Sequence, residues 1–386
     1  MGLARPEVAL AMSMGSGCRS QIRSSIMAPL TQIEPFTEWR EVQLVRCISI
    51  FSGAGGLDVG AARAGANIVA CVENMADAAE TLRLNCHPEA EIIEQDIVQV
   101  DFTKWRDGHD QILIGGPPCQ PFSKNGYWVK NDNRRIEEDP RNMLGQFLRA
   151  AKELQPSGFL FENVESILHP TNIGAFNRFV STAEGLGYHC TIFRANSADF
   201  GVPQKRKRVF VFGVRGARSH IPLPQQTHGD PRQPDLLNGF APYEGVGAFI
   251  ERYSESKYAE PQEDPSRGTY YYELQHVPAG ENYIALTKLK NYKGRVFRTG
   301  GRFWNFLQKL HPDKPSITIA AQPGPWVGPF HWENRRLRVP EAAAIQTFPH
   351  GYRFAGNRRS IQMQIGNAVP CLLGERMVSH LINHLE

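Results

Sequence analysis

A chain of 386 residues with 41% hydrophobic and 21% charged side chains has the composition of an ordinary globular protein, large enough for one domain or two, and excludes coiled-coil, collagen-like and wholly disordered readings. Its 43 Lys and Arg against 39 Asp and Glu leave a net charge of +4, which permits a polyanionic partner without arguing for one. Seven scattered cysteines without a C-x-x-C pair suggest neither a disulfide framework nor a zinc site, and no run approaches the roughly 20 apolar residues that span a bilayer, so a reducing cytoplasm is the expected setting.

Residues 1–44 show no periodicity and are expected to form a disordered N-terminal extension, within which Met12, Met14 and Met27 are alternative starts. From Arg46 onward, short apolar runs alternate with helical spacing. Strands are predicted at 47–51, 68–73, 91–94, 111–114, 158–162, 189–194 and 209–214, with helices at 57–64, 76–85 and 143–154 between them. Several of these strands are apolar throughout, as strands covered on both faces must be. The pattern predicts an α/β fold with a doubly wound, mostly parallel sheet whose sites lie at the strands' carboxyl ends.

The first strand runs into Phe51-Ser52-Gly53-Ala54-Gly55-Gly56-Leu57-Asp58, a glycine-rich turn that lets the backbone approach a ligand. Asp58 stands where a dinucleotide fingerprint wants a third small residue, which strains a nicotinamide reading. Glu73 closes the second strand, positioned to accept hydrogen bonds from ribose hydroxyls, and Asp96 closes the third, positioned to accept one from an adenine amino group. Either acid alone is an ordinary solvated carboxylate. In register on consecutive strands, the three features point to an adenosine-type ligand.

The fourth strand ends in Gly115-Gly116-Pro117-Pro118-Cys119-Gln120-Pro121, a stiff loop that presents its cysteine rather than burying it. The fifth delivers Glu162-Asn163-Val164 to the same edge, where partial desolvation suits Glu162 to give a proton as well as hold one, and Asn163 to hold the loop or the carboxylate. In Gln204-Lys205-Arg206-Lys207-Arg208, residues two apart share a strand face, so Arg206 and Arg208 are expected to point together at the site, suited to an anion or a polar base edge. Residues 215–312 lose the alternation and are rich in Tyr among Lys and Arg, which fits a stacking surface for a polyanion or the core of a small irregular domain. Farther on, 340–346 reads as a short helix opened by proline, and 364–370 as a loop capping a helix that packs back on the first domain.

In order and spacing, Gly-Pro-Pro-Cys-Gln, Glu-Asn-Val, Gln-x-Arg-x-Arg and Gly-Asn-Ala-Val-Pro resemble the motifs of the cytosine-5 DNA methyltransferases, including those of bacterial restriction–modification systems. The resemblance runs from about Arg46 to the C-terminus apart from 215–312, where that family keeps its target recognition domain. It implies a catalytic and cofactor-binding domain at 45–215, a target recognition domain at 216–345, and a C-terminal segment, 346–386, returning to the first. It implies S-adenosylmethionine as cofactor, held by Phe51, Gly53, Gly55, Glu73, Asp96, Pro118 and Asn367, with Leu144 and Ala368 as weaker contacts. Asn74 stands where some members place an aromatic ring on the adenine.

By the same resemblance, Cys119 adds to C6 of a flipped-out cytosine, Glu162 serves N3, and Arg208, supported by Arg206, serves O2. The segment 123–139, with Lys124, Lys130, Arg134 and Arg135, is expected to close over that base, and the Arg335, Arg336 and Arg338 cluster to touch phosphates. The implied partners are duplex DNA and a restriction endonuclease acting on the same site without physical contact, for an enzyme expected to be a bacterial, cytoplasmic monomer. A transfer RNA substrate, used by one branch of the family, is the alternative. A catalytically silent DNA-binding relative would be expected to have lost Cys119 or Glu162.

Overall fold

The computed structural model describes residues 45–85, 89–106, 110–118, 143–233, 239–261, 268–297 and 303–385. The expectations for 1–44, for Cys119 and for the closing segment 123–139 lie outside the described residues. Among the described residues, one sheet is built from β1 (Val45–Ile50), β2 (Ala66–Glu73), β3 (Glu91–Glu94), β4 (Gln111–Gly115), β5 (Gly158–Val164), β6 (Tyr188–Asn196) and β7 (Lys207–Arg215), in the order β3-β2-β1-β4-β5-β7-β6. Strand β7 alone runs antiparallel to its neighbours β5 and β6. All seven predicted strands are present, β3 with the predicted bounds and the others longer by one to three residues. After β1 the chain winds outward to β2 and β3, then returns to the other side of β1 as β4. This topological switch opens a crevice at the carboxyl ends of β1 and β4, where doubly wound sheets bind their ligands.

Period-two alternation sorts the strand residues to two cores. Phe159 and Phe161 of β5 pack beneath α3 (Met143–Leu154) and α4 (Ile173–Gly185), with the Phe147 ring 5.5 Å and 5.4 Å from theirs and 5.8 Å from that of Phe179. Leu160, between them in sequence, belongs to the opposite core, with α1 (Gly56–Arg63), Leu82 of α2 (Ala76–Asn85) and α9 (Cys371–Ile382). Helices α2 and α3 fall where the sequence predicts them. Helix α4 was not predicted, although Phe176, Phe179 and Ala183 carry its spacing. Helix α9 packs back on α1 as expected, and Gly60 permits the contact: a Cβ there would lie 2.5 Å from Glu375 N and 2.6 Å from Cys371 O.

The expected loop at 364–370 is largely helical. Helix α8 (Arg358–Asn367) is capped by the Asn357 side chain, which accepts from Arg359 N and Ser360 N, and only 368–370 bridge to α9. Gly366 within α8 is there for space: a Cβ would come within 2.4 Å of the Ala321 backbone.

Between β7 and α8 the chain forms short turns, a two-stranded parallel pair, β8 (His228–Gly229) with β9 (Ala241–Pro242), and helices α5 (Gly247–Ile250), α6 (Tyr271–His276) and α7 (Val339–Ile345). Its aromatic residues divide between the two readings of this stretch, with Phe303 63% and Trp304 60% exposed. Tyr283 is buried in a cluster with Leu274, Leu307 and Phe330, joined by Tyr270, Tyr292 and Trp326, while Tyr272 is half exposed. A further cluster brings Ala54 and Val59 together with Ile250, Ile319, Ala342 and Ile365, so α7 and α8 share apolar contacts with both the sheet side and the irregular region.

Phe147 is fully buried at the meeting of three aromatic rings, so Phe147→Ala should lower unfolding free energy by about 3–5 kcal/mol in urea titrations. A loss below about 1 kcal/mol would show that this core collapses around the gap.

Candidate active site

The antiparallel pairing of β5 with β7 sets the register Glu162↔Phe210 and Val164↔Arg208. It brings the Arg208 guanidinium diagonally across to Glu162, with Nε 2.8 Å from Oε1 and both side chains about nine-tenths buried. A second Arg208 nitrogen, Nη1, donates to Lys207 O at 2.7 Å. Burial raises the Glu162 carboxyl above its ordinary value, against the opposing pull of Arg208 and then Arg206. Desolvation therefore prevails over the ion pair, leaving an acid able to hold a proton at higher pH than a solvent-facing glutamate.

The loop after β4 lies directly against this acid. A Cβ on Gly116 would be 2.6 Å from Glu162 Oε2, so the close approach of loop to carboxyl requires glycine. Asn163 holds the loop rather than the carboxylate. Its Nδ2 donates to Pro117 O at 3.1 Å, and its Oδ1 accepts from Val164 N at 2.9 Å. Pro117 is buried and Pro118 exposed, so the backbone emerges from its clamp one residue before Cys119.

Arg206 departs from expectation. Strand β7 begins at Lys207, so strand alternation does not govern Arg206. Its side chain, 1% exposed, reaches Gly366 O at 2.8 Å, Asn367 O at 3.3 Å and Ile319 O at 3.4 Å. Arg206 acts on Glu162 at a distance, through its charge, which favours the carboxylate. Arg206 is a fastener between residue 319 and the end of α8. Two glutamines share that task without having been singled out from sequence. Gln204 Nε2 donates to Gln346 Oε1 at 3.0 Å, and Gln346 Nε2 donates to Ile365 O at 2.6 Å. Both are fully buried. Gln204 enters the sequence reading only as the first residue of the Gln-x-Arg-x-Arg motif, and the one signal of Gln346 is a polar residue after the apolar run Ala342 to Ile345.

The crevice beside β1 carries the residues predicted for a cofactor. Phe51, Gly53 and Gly55 have φ of 54°, 56° and 79°, three left-handed residues in five, which fold the turn sharply back on itself. A Cβ at Gly53 would meet nothing within 4 Å, so this glycine faces open space. Glu73 ties this turn to the next: Oε2 accepts from Gly53 N at 2.8 Å and Oε1 from Met75 N at 2.9 Å. Each carboxylate oxygen retains a second lone pair for a ligand hydroxyl. Asp96 is exposed and caps a short turn through Oδ1, which accepts from Val98 N at 3.0 Å. Asn367 is exposed at the end of α8, and Ala368 beside it is nearly buried. The Leu144 side chain, 3% exposed, lies in the core beneath α3. Asn74 is exposed. Tyr352, not singled out from sequence, donates its hydroxyl to Ala54 O at 2.6 Å and braces the turn from outside.

Asp58, the residue that breaks a dinucleotide fingerprint, is buried and accepts the Cys71 thiol at 3.2 Å. Burial pushes the Cys47 thiol well up, and Cys190 and Cys371 to about 12, so these three are poor nucleophiles. Among the described residues no group of His, Cys, Asp and Glu has the arrangement of a metal site, and no helix is long and apolar enough to cross a membrane.

The family model for C-5 cytosine-specific DNA methylases matches residues 45–383. The Type II methyltransferase M.SacI of Streptomyces achromogenes is 34% identical over 370 residues, covering 88% of this chain and 93% of its own length. The Type II methyltransferase M.NgoFVII of Neisseria gonorrhoeae is 30% identical over 327 residues, covering 84% of this chain and 83% of its own. Among solved structures, a prophage-encoded DNA modification methyltransferase of E. coli superposes with a TM-score of 0.59 at 24% identity, over 88% of this chain and 99% of that one. The Dnmt2 methyltransferase of S. pombe does so with 0.57 at 15%, over 89% and 99%. At these identities the structural likeness concerns the fold.

The Asn163 clamp has a measurable cost of removal. Asn163→Ala leaves the buried Pro117 carbonyl without its donor and should destabilise the protein by about 1–3 kcal/mol in urea unfolding. A change within about 0.5 kcal/mol of wild type would mean that the loop is held by its prolines alone.

Proposed function

This chain belongs to the C-5 cytosine-specific DNA methylase family and is a DNA cytosine-5 methyltransferase, and we propose that it uses S-adenosylmethionine and works through Cys119, Glu162 and Arg208 on a cytosine extruded from its duplex. The observation that carries the catalytic reading is the desolvated Glu162 paired with Arg208 and in contact with the clamped loop that leads into Cys119.

The crevice fits an adenosyl ligand. Phe51, Gly53, Gly55 and Pro118 would line it, Glu73 and Asp96 would accept from hydroxyl and amino groups, and Asn367 and Ala368 would close it from α8. Leu144 would support it from the core. When bound, the sulfonium supplies a methyl group open to attack by a carbon nucleophile.

Cytosine C5 is too poor a nucleophile until the ring has been converted to an enamine. The Cys119 thiolate forms a bond to C6, and the displaced electron pair moves through the ring to N3. There Glu162 gives up its proton: its O–H bond breaks as N3–H forms. Arg208 stabilises charge developing on O2 and afterwards balances the Glu162 carboxylate at 2.8 Å. Arg206 acts indirectly, by fixing the end of α8. C5, now the nucleophilic carbon of the enamine, takes up the methyl group as the bond from that methyl to the donor sulfur breaks. A base then removes the C5 proton, the C6–S bond breaks with its electron pair returning to sulfur, and N3–H gives its proton back to the Glu162 carboxylate, which restores the aromatic ring, the thiolate and the acid. The relatives' Type II designation supports a role in protecting host DNA beside an endonuclease of the same specificity; action as a cytoplasmic monomer is part of the same proposal.

Labelled methyl incorporation into duplex DNA tests these roles. Cys119→Ser should abolish transfer while DNA binding persists, and Glu162→Gln should slow it by about 10²–10⁴-fold; turnover near wild type in either variant refutes its assignment. The pH dependence has a defined sign. Activity requires the protonated Glu162, so transfer should fall as pH rises through its raised pKa. Arg208 lowers that pKa, so in Arg208→Ala the carboxyl keeps its proton longer and the alkaline limb should move to higher pH, beneath a reduced maximum. A limb that stays in place in single-turnover profiles would separate Arg208 from the titration of Glu162.

A further inference from the structure

We propose that the strap 347–357, between α7 and α8, sets the affinity of the crevice for its cofactor, with Tyr352 as a positioning residue for the turn after β1 and Tyr253 of the irregular region holding the strap. The inference rests on the S-adenosylmethionine reading above and extends it to residues outside the crevice. That turn needs holding. Phe51, Gly53 and Gly55 are all left-handed, and for Phe51, which carries a Cβ, such a backbone persists only where its surroundings over-determine it. Glu73 grips the turn at Gly53 N, and Tyr352 grips it at the next residue, donating its hydroxyl to Ala54 O at 2.6 Å. The residue after that is fitted to the contact: a Cβ on Gly55 would lie 2.8 Å from the Tyr352 hydroxyl oxygen.

The Tyr352 ring is itself fixed, with its centroid 4.7 Å from that of Phe348 and 5.2 Å from that of Phe354. The strap's backbone is pinned to α2: Asn85 accepts from Arg353 N at 3.0 Å and donates to Arg353 O at 2.7 Å, and Thr81 Oγ1 accepts from Ala355 N at 2.8 Å. Where the strap begins, Thr347 Oγ1 accepts from Leu372 N at 2.9 Å. Between these fastenings lies His350, exposed on one side and covered by the irregular region on the other. The Tyr253 ring stacks on that of His350 at 5.8 Å and 29°, and the Tyr253 hydroxyl shares a hydrogen bond with His350 Nδ1 at 3.1 Å. Tyr253 is buried in the turn after α5, where Arg338 donates to Tyr253 O and, at 3.0 Å, to Glu255 O.

Contacts thus run without a gap from Arg338 and Tyr253 to His350, along two residues of a pinned strap to Tyr352, and on to Ala54 O. A ligand that binds only the seated turn has its affinity scaled by the fraction of molecules in which the turn is seated. Loosening any link of this series therefore weakens cofactor binding, even where the altered residue lies outside the crevice.

Calorimetric titration of the full chain, without DNA, with S-adenosylhomocysteine measures this directly, because the demethylated cofactor binds without turning over. Tyr352→Phe removes one hydrogen bond and keeps the ring, and its Kd should rise about 2- to 12-fold. Tyr253→Phe, and His350→Ala at an exposed position where folding is not at stake, should each raise Kd about 2- to 5-fold. Combined with Tyr352→Phe, either should add less than its own factor, because all three act through one strap. In steady state the loss should appear in KM for S-adenosylmethionine more than in kcat. A Kd within about 1.5-fold of wild type in Tyr352→Phe overturns the positioning role, and a lower urea midpoint beside that unchanged Kd would reduce the strap to a structural brace. Factors that simply multiply in the double variants would show Tyr253 and His350 acting apart from Tyr352, which overturns the tie to the irregular region. A wild type that binds no S-adenosylhomocysteine would instead strike the cofactor reading, and the proposal with it.

Discussion

A carboxyl group nine-tenths removed from water, yet facing a guanidinium at 2.8 Å, is the interaction around which the rest of this molecule is arranged. Burial alone would make Glu162 a firmly protonated, inert acid; full pairing with Arg208 in water would make it an ordinary carboxylate. Held between these limits, it can release its proton and remain compensated. Such a balance needs rigid surroundings, since a small movement of the arginine changes which effect prevails. The antiparallel β5–β7 register supplies that rigidity, because the backbone ladder fixes the diagonal from Val164's partner to Glu162.

The same two strands hold their surroundings in place. Asn163, whose side chain leaves the opposite face from its neighbour's, clamps the Gly-Pro-Pro loop, while Arg206, just before β7, fastens the end of α8. With Gln204 and Gln346, Arg206 makes a buried polar seam across elements distant in sequence. Polar groups in such a seam are costly to leave unpaired, so the chain segments meet in one arrangement or lose several bonds together. The crevice uses a related device: Glu73 accepts amides from two successive turns and so fixes the backbone facing the ligand.

Burial also divides the thiols. Cys47, Cys190 and Cys371 sit where ionisation is strongly disfavoured, and Cys71 donates to the buried Asp58. Among the described residues these four thiols are thus withheld from nucleophilic chemistry, as the role proposed for Cys119 requires. In the irregular region Tyr253 and Tyr283 are buried and serve stability, while Tyr272, Phe303 and Trp304 are exposed.

The strands, the helices flanking the first four of them and the residues of the acid corner were legible from sequence because they depend on local rules: apolar runs, period-two alternation and turn chemistry. Helix α4 obeyed the same rules and was overlooked. What sequence left undetermined depends on contacts between distant segments. That Arg208 alone meets Glu162, where the strand period places Arg206 beside it, is decided by where β7 begins and by carbonyls as far as 160 residues away. Whether Asn163 holds loop or carboxylate was decided by the packing of β4 against β5. Position 366 takes glycine because the backbone of Ala321 leaves no room for a Cβ there. Local pattern determines which residues arrive at the sheet's edge. Only chain closure determines which of them face one another, because a hydrogen bond depends on distance in space and not on separation in sequence.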